Sequence, residues 1–282
     1  MSTTDKQPIR VKFVAKGNRL EHAPLWQRQL PDGESWENCR FNFDPEARDY
    51  DWLVVYDDLP TLPGERFSSR IEALACAAQH TIFITGEPSS IKVYGNDFLQ
   101  QFGLVISSQE PWATPGANVL HQQPALRWYY GVPWEWTKDP QGLRLWEQMA
   151  AQPPTRKPDL ISTVTSNKNM SATEHRARFE FVEAMAVALP ELARFGRGIK
   201  LIDDKADALD SYRYHLAIEN HYADHHFTEK LTDTFLGGAL PLYYGCPNYA
   251  EYFPQESLIP IDIHDPERSL SIVRQAIIED AY

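Results

Sequence analysis

Residues 214–247 read YHLAIENHYADHHFTEKLTDTFLGGALPLYYGCP, and the order of apolar, polar and glycine positions in them decides the fold. HLAI is a short apolar run of the strand type that closes on Glu219-Asn220. Thr228-Glu229-Lys230 then opens a helical stretch, Gly237-Gly238 ends it, and a second apolar run, LPLYY, follows. Strand, loop, helix, glycine turn and strand make a parallel βαβ unit. A helix N-terminus carries unpaired N–H groups and partial positive charge, so it suits a phosphate, and Lys230 at that end adds a full charge. The unit is therefore expected to seat a phosphorylated, sugar-like ligand at the C-terminal edge of a parallel sheet.

The same alternation extends outward. Residues 10–15 (RVKFVA), 51–56 (DWLVVY), 80–86 (HTIFITG) and 102–107 (FGLVIS) read as strands, and 70–79 is helical in composition. In the second half, strands are expected at 160–165, 199–202, 215–218, 240–244 and 258–263. Helices are expected at 174–189 and 266–279, the first with Phe179, Val182, Ala186 and Leu189 on one face. Residues 134–158 break the rhythm with Pro140, Pro153, Pro154 and Pro158 around LRLWEQMAA, the composition of an inter-domain crossing. The expectation is an α/β protein of two Rossmann-like domains, 1–150 and 151–282, facing each other across a cleft.

The 282 residues, 43% hydrophobic and 23% charged, describe an ordinary globular chain. A formal charge of −12 argues against nucleic acid as a partner, although Lys168, Arg176, Arg178, Lys200 and Lys230 offer local cations for a phosphate. Cys39, Cys76 and Cys246 form no close pair, which fits a reducing, cytoplasmic setting. The start lacks the apolar core of a signal peptide, and no run is long enough for a transmembrane segment. Docking on a membrane surface stays open. The 8 Trp and 13 Tyr are read mostly as packing residues, with sugar stacking as the minor alternative.

The 219–247 segment resembles the C-terminal signature of the α-1,3/4-fucosyltransferase family, glycosyltransferase family 10, in its bacterial form. Glu219-Asn220 closes the strand, eight residues (His221 to Thr228) intervene, and Glu229-Lys230 opens the helix. Gly237-Gly238-Ala239 and then Pro241-Leu242-Tyr243-Tyr244-Gly245-Cys246-Pro247 follow in the family's order. NYAEYFPQESLIPIDIHDPERSL continues the match, with Tyr252 in a place the family gives to Phe. Upstream, Thr165-Ser166-Asn167, Arg176 and Phe195-Gly196-Arg197-Gly198 match more loosely. The resemblance implies a GT-B type fold with GDP-fucose bound mainly by the C-terminal domain. It implies that Lys230 and Arg176 bind the pyrophosphate, with Arg178 a competing candidate. It implies further that Glu229 stands near the donor sugar, that Glu219 and Asn220 line the site, and that Thr228 opens the binding helix. His226 falls where bacterial relatives often carry a tyrosine, and the resemblance implies that it lines the nucleotide pocket as a donor-binding residue.

In the first half, Thr85-Gly86-Glu87 ends a strand as a T-G-E motif does in bacterial members, whose Glu is the general base. Inverting sugar transfer needs such a carboxylate to take the acceptor's proton. The resemblance thus implies an inverting transferase that passes L-fucose from GDP-fucose to a carbohydrate acceptor, with Glu87 and Glu229 catalytic. His221, Asp224, His225 and His226 invite a metal reading, but the family places them in a loop where four-residue spacing loses its meaning. Asp49-Tyr50-Asp51 leads into a strand and so lies at the wrong sheet edge for a metal seat. No metal or other cofactor is expected. Two rival readings remain: the same fold with another sugar nucleotide, or a non-catalytic glycan- or nucleotide-binding protein on a transferase fold.

Overall fold

The computed structural model describes residues 7–16, 23–166 and 173–282. Asn167 and Lys168, singled out in the sequence, lie outside them. Two compact units account for the chain: Met1–Arg127 with Leu145–Glu147, and Trp128–Arg144 with Gln148–Tyr282.

The first unit holds β1 (Ile9–Ala15), α1 (Ala23–Gln27), β2 (Ser35–Trp36), β3 (Cys39–Asn42), β4 (Trp52–Tyr56), β5 (Thr81–Ile84), α2 (Asn96–Leu99), β6 (Leu104–Ser107) and β7 (Val119–His121). The sheet order is β2-β3-β1-β4-β5-β6-β7, parallel except between β2 and β3. Its central strands are apolar on both faces, as a covered parallel sheet requires. Val11, Phe13 and Ala15 join Trp26, Phe43, Val54 and Ile84 on one side. Val14 joins Leu53, Val55, Phe83 and Val105 on the other. Lys12 is fully buried, its ammonium 2.8 Å from Glu72, which also accepts from Tyr50 Oη at 3.0 Å. The helix expected over 70–79 does not form; that stretch is irregular up to a 3-10 turn at Ala78–His80. Helical composition there loses to the ion pair, because Glu72 is committed to a buried lysine on a strand.

Helix α3 (Trp146–Ala151) begins among residues of the first unit and ends among those of the second, which continues with β8 (Asp159–Val164), α4 (His175–Ala188), β9 (Leu192–Phe195), β10 (Tyr212–Ile218), α5 (Glu229–Leu236), β11 (Leu240–Tyr244), β12 (Ile259–Pro260) and α6 (Pro266–Ile278). The order β12-β11-β10-β8-β9 is parallel throughout, with Tyr214 opposite both Ile161 and Leu240. Successive strands leave β8 and β10 in opposite directions, so a crevice opens between the C-terminal ends of these two. The strand expected at 199–202 is instead β9: Leu192 and Phe195 are buried, whereas Gly196 and Gly198 take positive φ and Leu201 is 77% exposed.

One face of this sheet packs on α4 and α6 through Ile161, Phe181, Val182, Met185, Leu216, Leu242 and Val273. The buried stripe of α4 therefore runs through 178, 181, 182, 185 and 189, rotated from the expected one. Trp128–Arg144 packs within this unit. Tyr130 is buried with Ala206, Leu209 and Ala239, and its hydroxyl bonds Asp210 at 2.8 Å. The Tyr129, Gly131 and Trp134 N–H groups donate to Asp233, Asp204 and Asp203 at 3.0, 2.9 and 3.1 Å. No helix among the described residues is long and apolar enough to cross a membrane.

Candidate functional site

A cavity of about 210 Å³ opens at the β8/β10 crevice, lined among others by Thr165, Arg178, Lys205, Glu229, Lys230 and Asp233. Next to the lining residue Ile218, Glu219 is fully buried where β10 ends. One Glu219 oxygen accepts the Thr228 N–H at 2.7 Å, and the other accepts from Thr228 Oγ1 at 2.7 Å and from Lys230 Nζ at 3.2 Å. Thr228 caps α5, its hydroxyl accepting the Lys230 N–H. Thus the strand-end carboxylate keys the helix start to the sheet, and part of the expected phosphate seat is taken up inside the protein. A side chain at Gly245 would put its Cβ 2.5 Å from Glu219 Cγ, which is why this turn requires glycine.

Groups of both charges share the crevice. Lys230 lies 3.2 Å from Glu219 and 3.4 Å from Glu229. Lys205 lies 2.7 Å from Asp233 and 3.5 Å from Glu229. Burial pushes the Glu229 carboxyl up, but Lys230 and Lys205 together hold it well below the usual range. Burial pulls both lysines down, yet Asp233 and Glu229 raise Lys205, and Glu219 and Glu229 raise Lys230. Arg178 differs. It is 6% exposed, its Nε has no hydrogen-bond partner, and burial draws its pKa down against the pull of Glu219 and Glu229. Thr165 Oγ1, also on the cavity wall, is buried without a partner. A buried cation and hydroxyl with donors to spare are arranged for an anionic ligand.

The structure brings Glu219, Thr228, Glu229 and Lys230 together, as the sequence leads one to expect. Arg176 it places elsewhere: its side chain is 69% exposed and pairs with Glu180 one helical turn on. The apolar stripe of α4 carries Arg178 inward and turns Arg176 out. Asn220 is half-buried and accepts the Glu174 N–H at the start of α4. His226 is buried, edge-on to His221, and burial lowers its pKa to about 4, so it is neutral at pH 7. His215, on the cavity lining, is lowered to about 3 by burial and by Lys205. Glu87, in the first unit, is exposed just past the end of β5.

Lys205 and Asp233 were not singled out from the sequence. Lys205 sits in DDKADALD, which reads as a solvated charge run and folds as a 3-10 turn capped by Asp204. Nothing local signals its role. For Arg178 a signal exists, the step of three and four residues back from Met185 and Val182. Among the described residues no group of three or more His, Cys, Asp or Glu is placed to hold a metal ion. His225 bonds Tyr252 Oη and Asn248, and Asp49 and Asp51 both pair with Arg10.

A doubly wound parallel sheet with buried cations at its crevice defines a domain for a nucleotide-like, anionic ligand. Residues 154–279 match the model of glycosyltransferase family 10 (fucosyltransferase), C-terminal part. Among solved structures, the whole chain aligns with 82% of a crystal structure of alpha1,3-fucosyltransferase, at 15% identity and a TM-score of 0.55. A crystal structure of alpha1,3-fucosyltransferase with GDP-fucose aligns over the same shares at 16% identity and 0.53. One with GDP aligns over 83% of its length at 16% identity and 0.51. These likenesses show the α/β fold. No curated protein sequence matches the chain.

Proposed function

We propose that the chain transfers L-fucose from GDP-fucose to a hydroxyl of a carbohydrate acceptor, inverting the anomeric carbon to give an α-1,3/4 linkage. The observation that carries this reading is the buried, incompletely bonded guanidinium of Arg178 beside Lys205 and Lys230, in the crevice of a family 10 domain. The structures solved with GDP-fucose and with GDP support the donor. Arg178 takes the pyrophosphate role that the sequence resemblance gives to Arg176.

The second unit holds the donor, and the first unit shapes the acceptor site. As the acceptor oxygen bonds to C1 of fucose, its proton passes to the Glu87 carboxylate. The C1–O bond to the diphosphate breaks, and its electron pair leaves on GDP. Glu229, kept ionised by Lys230 and Lys205, stabilises the positive charge that develops on the sugar ring. Arg178, Lys205 and Lys230 neutralise the departing diphosphate as fixed charges, so turnover should persist in EDTA. Free Cys39, Cys76 and Cys246 suit a cytoplasmic enzyme.

Calorimetric titration of GDP, UDP and CMP in EDTA, into the wild type and Lys230→Ala, tests the reading. GDP should bind selectively and lose affinity in the variant. Preference for UDP would replace the donor, and absence of binding by all three would overturn the transferase reading.

A further inference from the structure

The first unit has a second buried polar cluster at the C-terminal edge of its sheet, and the mechanism above does not use it. Asp57 follows β4, is 7% exposed, and adopts φ +65°, a conformation sparsely populated by residues other than glycine. Its carboxylate accepts from Tyr94 Oη at 2.5 Å and from Lys92 Nζ at 2.8 Å, with Lys16 Nζ 3.4 Å away at the end of β1. The Tyr94 hydroxyl, which donates to Asp57, accepts the Gly86 N–H at 3.0 Å. On the far side of the same turn, Gln109 Nε2 donates to the Glu87 carbonyl at 2.7 Å and to the Lys92 carbonyl at 2.8 Å. Gln109 is itself 2% exposed. Below, Thr85 Oγ1 donates to Ser107 Oγ at 3.1 Å. A Cβ at Gly86 would lie 2.8 Å from Asp57 Cβ, so glycine is what lets the turn lie against the aspartate.

The 85–86 and 87–88 peptide units of the turn are thus each held by a buried side chain, while the Glu87 side chain stays exposed. We propose that Tyr94, oriented by Asp57, and Gln109 are positioning residues that fix the backbone of the Thr85-Gly86-Glu87 turn and so aim the Glu87 carboxylate. The inference rests on the reading of Glu87 as general base. Burial and the Asp57 charge push the Tyr94 phenol up, which keeps it protonated as the donor to Asp57. Removing either clamp leaves Glu87 chemically intact but loosely aimed. Misplacement of a catalytic group by about 1 Å costs on the order of a hundredfold in rate.

The test follows GDP release from GDP-fucose with water as acceptor in the full chain, for Glu87→Gln, Tyr94→Phe, Gln109→Met and the Glu87→Gln/Tyr94→Phe pair. GDP affinity, measured in parallel, reports folding of the second unit, and thermal unfolding reports the first. Tyr94→Phe and Gln109→Met should each lower kcat by about tenfold to a hundredfold, with KM and GDP affinity unchanged. In the Glu87→Gln background, Tyr94→Phe should add nothing, because a positioning residue has nothing left to position. If Tyr94→Phe unfolds the first unit, Gln109→Met carries the comparison. The inference is overturned if both clamp variants keep the wild-type kcat while Glu87→Gln loses it. It is also overturned if Tyr94→Phe slows Glu87→Gln as much as it slows the wild type. An unchanged rate in Glu87→Gln itself would remove the base reading instead.

Discussion

Replacing Arg178 by methionine should move stability and affinity in opposite directions. In the ligand-free protein the guanidinium is buried, its Nε lacks a partner, and its Nη1 reaches the Ile218 carbonyl only at 3.5 Å. A buried donor left unsatisfied costs about 1–3 kcal/mol. Methionine keeps the apolar stem without that cost, so the variant should be more stable by an amount of that order, a Tm rise of roughly 2–10 °C. In the complex the same group would donate to a phosphate, and a charge-assisted hydrogen bond contributes about 1.5–3 kcal/mol. GDP should therefore bind about 10- to 150-fold more weakly. Scanning calorimetry and isothermal titration on one preparation measure both. Arg176→Ala, removing an exposed pair with Glu180, should leave GDP affinity unchanged. Loss of GDP binding in Arg176→Ala, with none in Arg178→Met, would refute the reasoning.

Other outcomes follow from the same geometry. His215 and His226 are neutral when folded, with pKa values of about 3 and 4, and the unfolded chain takes up their protons near pH 6.5. Stability should therefore be complete above pH 6.5 and fall below it, by on the order of 2 kcal/mol per histidine between pH 8 and pH 5; urea unfolding at the two pH values, with His215→Asn as control, measures it. Lys12→Met leaves the buried Glu72 carboxylate with the more exposed Arg48 at 3.3 Å as its cation and should cost about 3 kcal/mol in urea unfolding, whereas Lys12→Met/Glu72→Gln should recover part of that loss. Gly245→Ala forces a methyl against Glu219 and should cost about 1–3 kcal/mol, with weaker GDP binding by titration because Glu219 anchors Thr228 and Lys230.

Much of the second unit was legible because its strands, caps and glycines follow one another locally. Thr228 reads as a cap and is one, and LPLYY at 240–244 reads as a strand and forms β11. What the sequence hides is set by partners distant in the chain. Glu72 lies in a stretch of helical composition, yet Lys12, 60 residues earlier, decides its conformation. Lys205 acquires meaning only beside Asp233 and Glu229, which a charge run cannot announce. Arg176 and Arg178 differ by two places and by the side of a helix they occupy. Following the apolar period of α4 from its far end would have separated them; matching a motif does not.

The segment Trp128–Arg144 changes how the molecule can be taken apart. A break at the proline-rich stretch around residue 150 looks natural, but it would strip Tyr130 from its apolar seat on Leu209 and Ala239. It would also take the Trp134, Gly131 and Tyr129 N–H donors away from the carboxylates of Asp203, Asp204 and Asp233. Asp233 holds Lys205, so the damage would reach the cavity itself. A fragment meant to report nucleotide binding on its own has to start near Trp128, and a shorter one that fails to bind would say nothing about the crevice.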